Sequence, residues 1–209
     1  MSVLDDLKTR ISYQAFLLAG FALLASALLG FADYNTRDVI KLRLEEDLRA
    51  SLSEVVPDNI YNNNLLQDTV DISSAKDDLG ADETLVYLAR MDGKVSAVAF
   101  RLAALGGYSG AINLIMGVDK NAKVLGVRVI AHAETPGLGD KIEVSKSNWI
   151  LSFDGQSLQN LTIEQWAVKK DGGEFDQFSG ATITPRAIVR AVFLGLEFFK
   201  KHRAELLSA

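Results

Sequence analysis

An uncharged apolar run near the N-terminus restricts the fold of this chain more than any other feature. Residues 15–32, AFLLAGFALLASALLGFA, contain no charged residue and no proline. With residues 11–14 the run reaches 22 residues, which as an α-helix spans about 33 Å, enough to cross the core of a bilayer. Such a helix has no polar face to show to water, which argues against a buried core helix. The run therefore predicts a membrane-anchoring helix.

A cleaved signal peptide is the alternative to a retained anchor. Lys8 and Arg10 precede the run, and residues 30–32 resemble a small-x-small cleavage site. The run is longer than the usual apolar region of a signal peptide, which favours the anchor. The positive-inside rule leaves the orientation open, because basic residues also follow the run, at Arg37, Lys41, Arg43 and Arg49.

Small residues recur every four positions within the run, at Ala22, Ser26 and Gly30. Such a face lets a neighbouring helix approach closely, and the same spacing also arises by chance where small residues are common.

The segment after the run reads as a stalk and a linker. Asn35 or Thr36 can cap a new helical stretch, and we expect the membrane helix to continue as a stalk towards Pro57. Residues 58–81 are rich in Asn, Asp and Ser, which indicates a linker with one short helix. We therefore expect three parts: an N-terminal segment with the membrane helix (1–34), a helical stalk and linker (35–82), and a folded domain (83–209).

The folded domain shows the pattern of strands followed by a helix. Two apolar runs flank Asp92 and Gly93, and two more flank a turn at residues 119–122, so both pairs are predicted hairpins. Residues 161–175 suggest another strand that enters a glycine turn. Residues 185–207 have helical spacing, with Ile188, Val192, Leu196 and Phe199 on one face. The predicted fold class is α+β, with one mixed α/β domain after one membrane helix.

Composition excludes several classes of function. The formal net charge is −5 and no basic stripe is interleaved with aromatic residues, which argues against nucleic-acid binding. The sequence has no cysteine, which excludes disulfides, thiolate zinc sites and cysteine-ligated iron–sulfur clusters.

The stretch FSGATITPRAIVRAV, residues 178–192, is the first candidate site. Thr184 followed by Pro185 is expected to form an N-cap and an N1 proline, which places Ser179, Gly180, Ala181 and Thr182 just before a helix N-terminus. Free N–H groups and the helix dipole favour a phosphate there. An ordinary capped helix remains an alternative. A hydrolase nucleophile is a third, although no G-x-S-x-G motif is present to support it.

Two other stretches combine glycines with polar residues. AHAETPGLGDKI, residues 131–142, gathers His132, Glu134 and Thr135 around a Pro-Gly turn, and GGYSGAINLIMG, residues 106–117, places Tyr108 among glycines. Each has an ordinary structural explanation by itself: a common turn, a histidine satisfied within the fold, or a packed tyrosine.

Together, GYSGAI, HAETPGLG and DQFSGATIT resemble the G subunit of the Rnf electron-transport complex, called Rsx in some bacteria. The chain is also similar to the related C subunit of the sodium-translocating NADH:quinone reductase. The resemblance covers nearly the whole chain, and DQFSGAT matches the family's flavinylation pattern of Asp, two residues, Ser or Thr, then Gly-Ala-Thr.

The resemblance implies that FMN is joined through its phosphate to the hydroxyl of Thr182. A separate flavin transferase would make this bond from FAD in a magnesium-dependent reaction, and Asp176 and Ser179 match positions that the transferase recognises. The family's complex passes electrons between NADH and ferredoxin and couples this to ion movement. The implied partners are the A, B, C, D and E subunits, and the implied location is the inner membrane with the flavin domain on the periplasmic side.

We further expect the two glycine-rich stretches to line the flavin ring. Backbone N–H groups near Gly137 or Leu138 would stabilise negative charge on the reduced ring, and Lys141 would assist by its charge. His132 would either bond the ring or only order the loop. The expected lining residues are Tyr108, Ser109, His132, Glu134, Thr135, Gly137, Leu138 and Lys141. The alternatives are a membrane-tethered module that binds a phosphate ligand noncovalently, or a tethered hydrolase using Thr182 or Ser179.

Overall fold

The computed structural model describes residues 11–73, 75–81 and 85–209. The charged residues before the apolar run, Lys8 and Arg10, lie outside this part of the chain. The chain divides into two compact units, residues 1–47 and 48–209.

Helix α1, Ile11–Val55, is 45 residues long and contains the apolar run. Its side chains within the run are exposed, and it is long and apolar enough to cross a membrane. The expected continuation of the membrane helix as a stalk towards Pro57 is confirmed. The expected cap at Asn35 or Thr36 is wrong, because α1 continues through both residues. Their side chains instead donate hydrogen bonds to the carbonyls of Phe31 and Ala32, 2.7 and 2.8 Å away. No glycine or proline interrupts residues 31–56, so nothing breaks the helix before Pro57.

Among the described residues, five strands form one antiparallel sheet in the order β1-β2-β3-β4-β5. The strands are β1 Thr69–Asp71, β2 Leu85–Met91, β3 Lys94–Gly107, β4 Gly110–Asp119 and β5 Val124–Ala131. Both predicted hairpins are confirmed. In the first, Asp92 and Gly93 both have positive φ, as a tight two-residue turn between twisted strands requires.

Strand β1 lies in the segment that was expected to be a linker, and it pairs with β2. With three residues it is too short to show an alternating pattern. The short helix expected in the same segment is present as α2, Ala75–Leu79.

Each face of the sheet packs against a helix. Helix α3, Ile183–Ser208, covers one face, and the residues predicted to share its buried side are buried: Ile188, Val192, Leu196 and Phe199. The last turn of α1, with Leu52 and Val55, packs on the other face. Gly117 of β4 provides the room, because a Cβ there would lie 2.0 Å from the carbonyl oxygen of Val55.

The strand predicted at residues 161–175 is wrong. This part of the chain forms short 3-10 turns at Ile163–Gln165 and Lys169–Asp171, with a single bridge between Val168 and Phe175. Its apolar residues pack instead into an aromatic cluster formed by Trp149, Phe153, Trp166, Phe175 and Phe178.

Candidate functional site

Three segments that are distant in sequence meet at a cleft of about 470 Å³. They are the turn between β3 and β4, the loop after β5, and the entry to α3. The cleft is lined by Tyr108, Glu134, Thr135, Leu138, Gly139, Gly180, Ala181, Thr182 and Ile183. Its volume lies within the range of roughly 300–1,000 Å³ that is typical of small-molecule sites.

Helix α3 begins two residues earlier than the sequence suggested. Its first residue is Ile183, and the N-cap position belongs to Thr182, whose side chain makes no capping bond. The expected N-cap at Thr184 and N1 position at Pro185 are therefore wrong. Thr184 lies inside the first helical turn and is fully buried. Pro185 is tolerated as the third helical residue because the first N–H groups of a helix have no intrahelical acceptor.

Thr182 lies at the meeting point of the helix and the cleft. It is half-buried, and its backbone carbonyl accepts the N–H of Arg186 at 3.3 Å, which ties it to the first turn of α3. The chain reaches Thr182 through a turn in which Ala181 N–H donates to the carbonyl of Phe178. Gly180 has φ of +80° in this turn, a conformation that disfavours any side chain. Thr182, whose side chain makes no capping bond, and Ile183, the first residue of α3, thus line the same cleft.

Glu134 is the buried carboxylate of the site, with 5% of its surface exposed. Its Oε1 accepts the backbone N–H of Ser109 at 3.1 Å, and its Oε2 accepts the hydroxyl of Thr184. These bonds join the loop after β5 to the β3–β4 turn and to the first turn of α3. The N–H of Ser109 therefore helps to hold these segments together.

The loop after β5 is a compact turn stabilised by its own backbone. The N–H groups of Leu138 and Gly139 both donate to the carbonyl of Thr135 at 3.1 Å. The N–H of Leu138 therefore already has an acceptor within the loop, which argues against it as a donor to the flavin, whereas the expectation for the N–H of Gly137 stays a prediction. Leu138 instead presents its side chain to the cleft, opposite Tyr108, whose surface is 72% exposed. Gly137 has φ of +79° at the exposed corner of the turn.

His132 orders the start of this loop. Its Nδ1 accepts the N–H of Glu134 at 3.0 Å, so the ring proton lies on Nε2, which donates to Glu143 at 2.8 Å. The hydrogen bond from His132 is the main reason that the pKa of Glu143 lies below its usual value. His132 lines a neighbouring groove with Glu54 and Arg128. Of the two roles expected for His132, the geometry matches the ordering one.

Three other predicted residues lie outside the lining of the cleft. Lys141 is exposed in the 3-10 turn Asp140–Ile142 that follows the loop. Ser179 is exposed beside Gly180. The side chain of Asp176 is also exposed and pairs with Lys169 at 2.7 Å.

Sequence reasoning missed two lining residues, Gly139 and Ile183. Both directly adjoin the motifs that were singled out, since Gly139 ends ETPGLG and Ile183 follows SGAT. Their positions next to those motifs were the available signal.

The family comparison agrees with this geometry. The family described as "FMN-binding domain" matches residues 107–197, which contain all three segments of the cleft. Among solved structures, NqrC of Shewanella oneidensis matches with a TM-score of 0.48 and 23% sequence identity, over 76% of this chain and 74% of that chain.

Close relatives match over almost the full length. The G subunit of the "Ion-translocating oxidoreductase complex" of Shewanella loihica is 45% identical over 203 residues, which cover 97% of this chain and 95% of the relative. The protein of the same name from Cereibacter sphaeroides is 46% identical over 203 residues, which cover 97% of this chain and 90% of the relative. The chain therefore belongs to the family of G subunits of ion-translocating oxidoreductase complexes, the Rnf family that its motifs resemble.

Proposed function

We propose that this chain is the electron-carrying subunit of a membrane-bound ion-translocating ferredoxin/NADH oxidoreductase complex, with FMN joined by a phosphoester bond to Thr182. One observation carries the proposal. Thr182 ends the Ser-Gly-Ala-Thr motif at a helix N-terminus and lines the cleft, and its side chain makes no capping hydrogen bond. The chain would have no complete enzymatic activity alone, because the other redox centres belong to other subunits.

The attachment is a phosphoryl transfer to a hydroxyl. The Thr182 oxygen attacks the phosphorus on the FMN side of the FAD pyrophosphate, a bond to that phosphorus forms, and the bond to the AMP oxygen breaks. AMP leaves, the hydroxyl proton passes to a base or to water, and no oxidant or reductant is consumed. The flavin transferase would supply the catalysis. The exposed side chains of Asp176 and Ser179 are in reach of such an enzyme on the approach to Thr182.

The residues around Thr182 suit a phosphate and an attached ring system. The N–H groups of Ile183 and Thr184, in the first turn of α3, are the kind of donors that hold a phosphate at a helix N-terminus. The positive end of the helix dipole favours the same charge. Leu138 and Tyr108 offer apolar and aromatic surface beyond the phosphate position.

The cofactor and the chain would have separate roles. Bound FMN would supply the uptake and release of electrons, and the chain would supply position and electrostatics. Thr182 would tether the phosphate, and Leu138, Tyr108 and Thr135 line the cleft beside it. A covalent tether suits a relay, because the carrier stays in place between electron transfers.

The proposal also includes a location and partners. Helix α1 would anchor the chain in the inner membrane as a single span, with the flavin domain on the periplasmic side. The partners would be the A, B, C, D and E subunits of the complex, the lipid bilayer and, during maturation, the flavin transferase. The relatives are subunits of an ion-translocating oxidoreductase complex, which supports membership of a complex of several subunits.

The direct test replaces Thr182 by Ala in the full chain produced together with a flavin transferase. The wild-type band should fluoresce in a denaturing gel and the Thr182→Ala band should be dark, since no other residue would carry the phosphoester. Thr135→Ala is the matched control, because it removes another hydroxyl from the same cleft and should stay fluorescent.

Fluorescence that survives in Thr182→Ala would place the attachment elsewhere. A wild-type chain that binds flavin but loses all of it on denaturation would replace the proposal by a noncovalent phosphate-binding module.

A further inference from the structure

The geometry points to Glu134 as a positioning residue for flavin attachment, one that holds the first turn of α3, and with it Thr182, in the orientation that the transferase requires. This inference rests on the proposed function. It assigns Glu134 a role different from the ring contact that its sequence position suggested.

The carboxylate of Glu134 joins segments that are far apart in the chain. Thr184 is 50 residues away in sequence and donates its hydroxyl to Oε2, and Ser109 is 25 residues away and donates its N–H to Oε1. Both Glu134 and Thr184 are buried. Leaving a buried hydrogen-bonding group without its partner is costly, so this junction resists local movement.

Two glycines show how tightly the carboxylate is enclosed. A Cβ at Gly139 would lie 2.7 Å from Oε2 of Glu134 and 3.1 Å from the Thr184 hydroxyl oxygen. A Cβ at Gly107 would lie 2.8 Å from Oε1. Gly139 has φ of −85° and ψ of −19°, which any residue can adopt, so lack of space and not backbone conformation calls for glycine there. The two glycines therefore leave room for the carboxylate between the two segments.

The position of Thr184 fixes that of Thr182. Thr184 lies in the first turn of α3 and Thr182 is its N-cap, and the bond from Arg186 N–H to the Thr182 carbonyl links Thr182 to that turn. If the Glu134–Thr184 bond is lost, the turn can shift or fray, and the Thr182 hydroxyl moves with it. A misplacement of about 1 Å can slow a reaction that depends on alignment by roughly 100-fold.

The test measures the rate of FMN incorporation into the purified full-length chain, in detergent, with transferase, magnesium and FAD, by intact mass. Thr184→Val removes the hydroxyl at nearly constant volume, and Thr184→Ser keeps it. We expect Thr184→Val to incorporate FMN at least about tenfold more slowly than wild type and Thr184→Ser to stay near the wild-type rate.

A second pair of variants tests the carboxylate. Glu134→Ala should be slowed at least as much as Thr184→Val. Glu134→Gln should recover most of the rate, because the amide oxygen can accept from Ser109 N–H while the amide nitrogen donates to the Thr184 hydroxyl oxygen. Glu134→Gln as slow as Glu134→Ala would overturn positioning by hydrogen bonds.

A destabilised control separates positioning from general loss of stability. Leu206→Ala opens a cavity at the other end of α3, about 33 Å along the helix from Thr184. It should lower the melting temperature and leave the incorporation rate unchanged. Amide hydrogen exchange of the unlabelled chain should be faster at Arg186, whose N–H donates to the Thr182 carbonyl, in Thr184→Val than in wild type.

The two proposals fail in different ways. An unlabelled wild-type chain would overturn the proposed function and this inference with it. A labelled wild-type chain, together with a folded Thr184→Val variant that is labelled at the same rate, would overturn this inference alone.

Discussion

Gly117→Ala is expected to separate the last turn of α1 from the sheet. A Cβ at position 117 would lie 2.0 Å from the carbonyl oxygen of Val55 and 2.8 Å from its carbonyl carbon. These are backbone atoms, so no rotation of a side chain can make room. The last turn of α1 must therefore move away from the sheet. Leu52, Val55 and Val56, which are now buried, would lose part of their contact with the sheet.

The structure sets the expected size of this effect. Overpacking costs typically 1–3 kcal/mol, and full burial of a Val or Leu side chain is worth roughly 1.5–3 kcal/mol. Overpacking and the partial loss of burial at the three apolar residues both lower the free energy of unfolding. Alanine is better than glycine in a strand, which offsets this by roughly 0.5–1 kcal/mol, so the free energy of unfolding falls by about 3 kcal/mol. For a domain of this size, that corresponds to a fall in melting temperature of about 6–12 °C.

The assay is thermal unfolding of the full chain in detergent, followed by tryptophan fluorescence. Gly126→Ala is the graded control, since its Cβ would lie 3.1 Å from Val55 Cα and 3.2 Å from the Glu54 oxygen, distances that a small shift relieves. Gly117→Ala should therefore be the more destabilised variant. Adding Val55→Ala should not rescue it, because the blocking atom is in the backbone. A Gly117→Ala chain that melts like wild type would refute this packing.

The remaining predictions concern the loop after β5. Leu138→Ala should change the visible spectrum or the midpoint potential of bound FMN while leaving its attachment intact; an unchanged spectrum and potential would remove this side chain from the ring site. His132→Ala should raise the pKa of Glu143 towards 4.5, because the hydrogen bond that chiefly lowers it is lost. In wild type, the lowered pKa means that the ionised Glu143 adds stability above about pH 4.5, which disappears as the pH falls through the folded pKa. An NMR titration in which Glu143 has the same pKa in both chains would contradict this assignment.

Much of the fold was predictable because its signals are local. The apolar run, the Asp92-Gly93 turn and the four-residue spacing of Ile188 and Val192 each reflect a rule that operates over a few residues. Strand β1 was missed because three residues carry no period. Residues 161–175 were misread because apolar residues ahead of a glycine turn also suit a segment whose apolar side chains enter an aromatic cluster without strand pairing.

The motifs that form the candidate site were predictable from the sequence. The positions of their residues in the structure were not. The three glycine-rich stretches do meet at one cleft, and seven of the predicted residues line it: Tyr108, Glu134, Thr135, Leu138, Gly180, Ala181 and Thr182. The predicted start of α3 was wrong because a Thr-Pro pair is a common helix start, whereas here Thr184 lies within the helix and its hydroxyl donates to Glu134. That partner lies 50 residues away, beyond the reach of local sequence rules.

The central claim, that Thr182 carries FMN through a phosphoester bond, is tested most directly by the mass of the denatured full-length chain from cells that also produce an active flavin transferase. The account predicts the addition of one FMN residue, which fragmentation assigns to Thr182. An unmodified chain, from cells in which the same transferase labels another substrate, would contradict it.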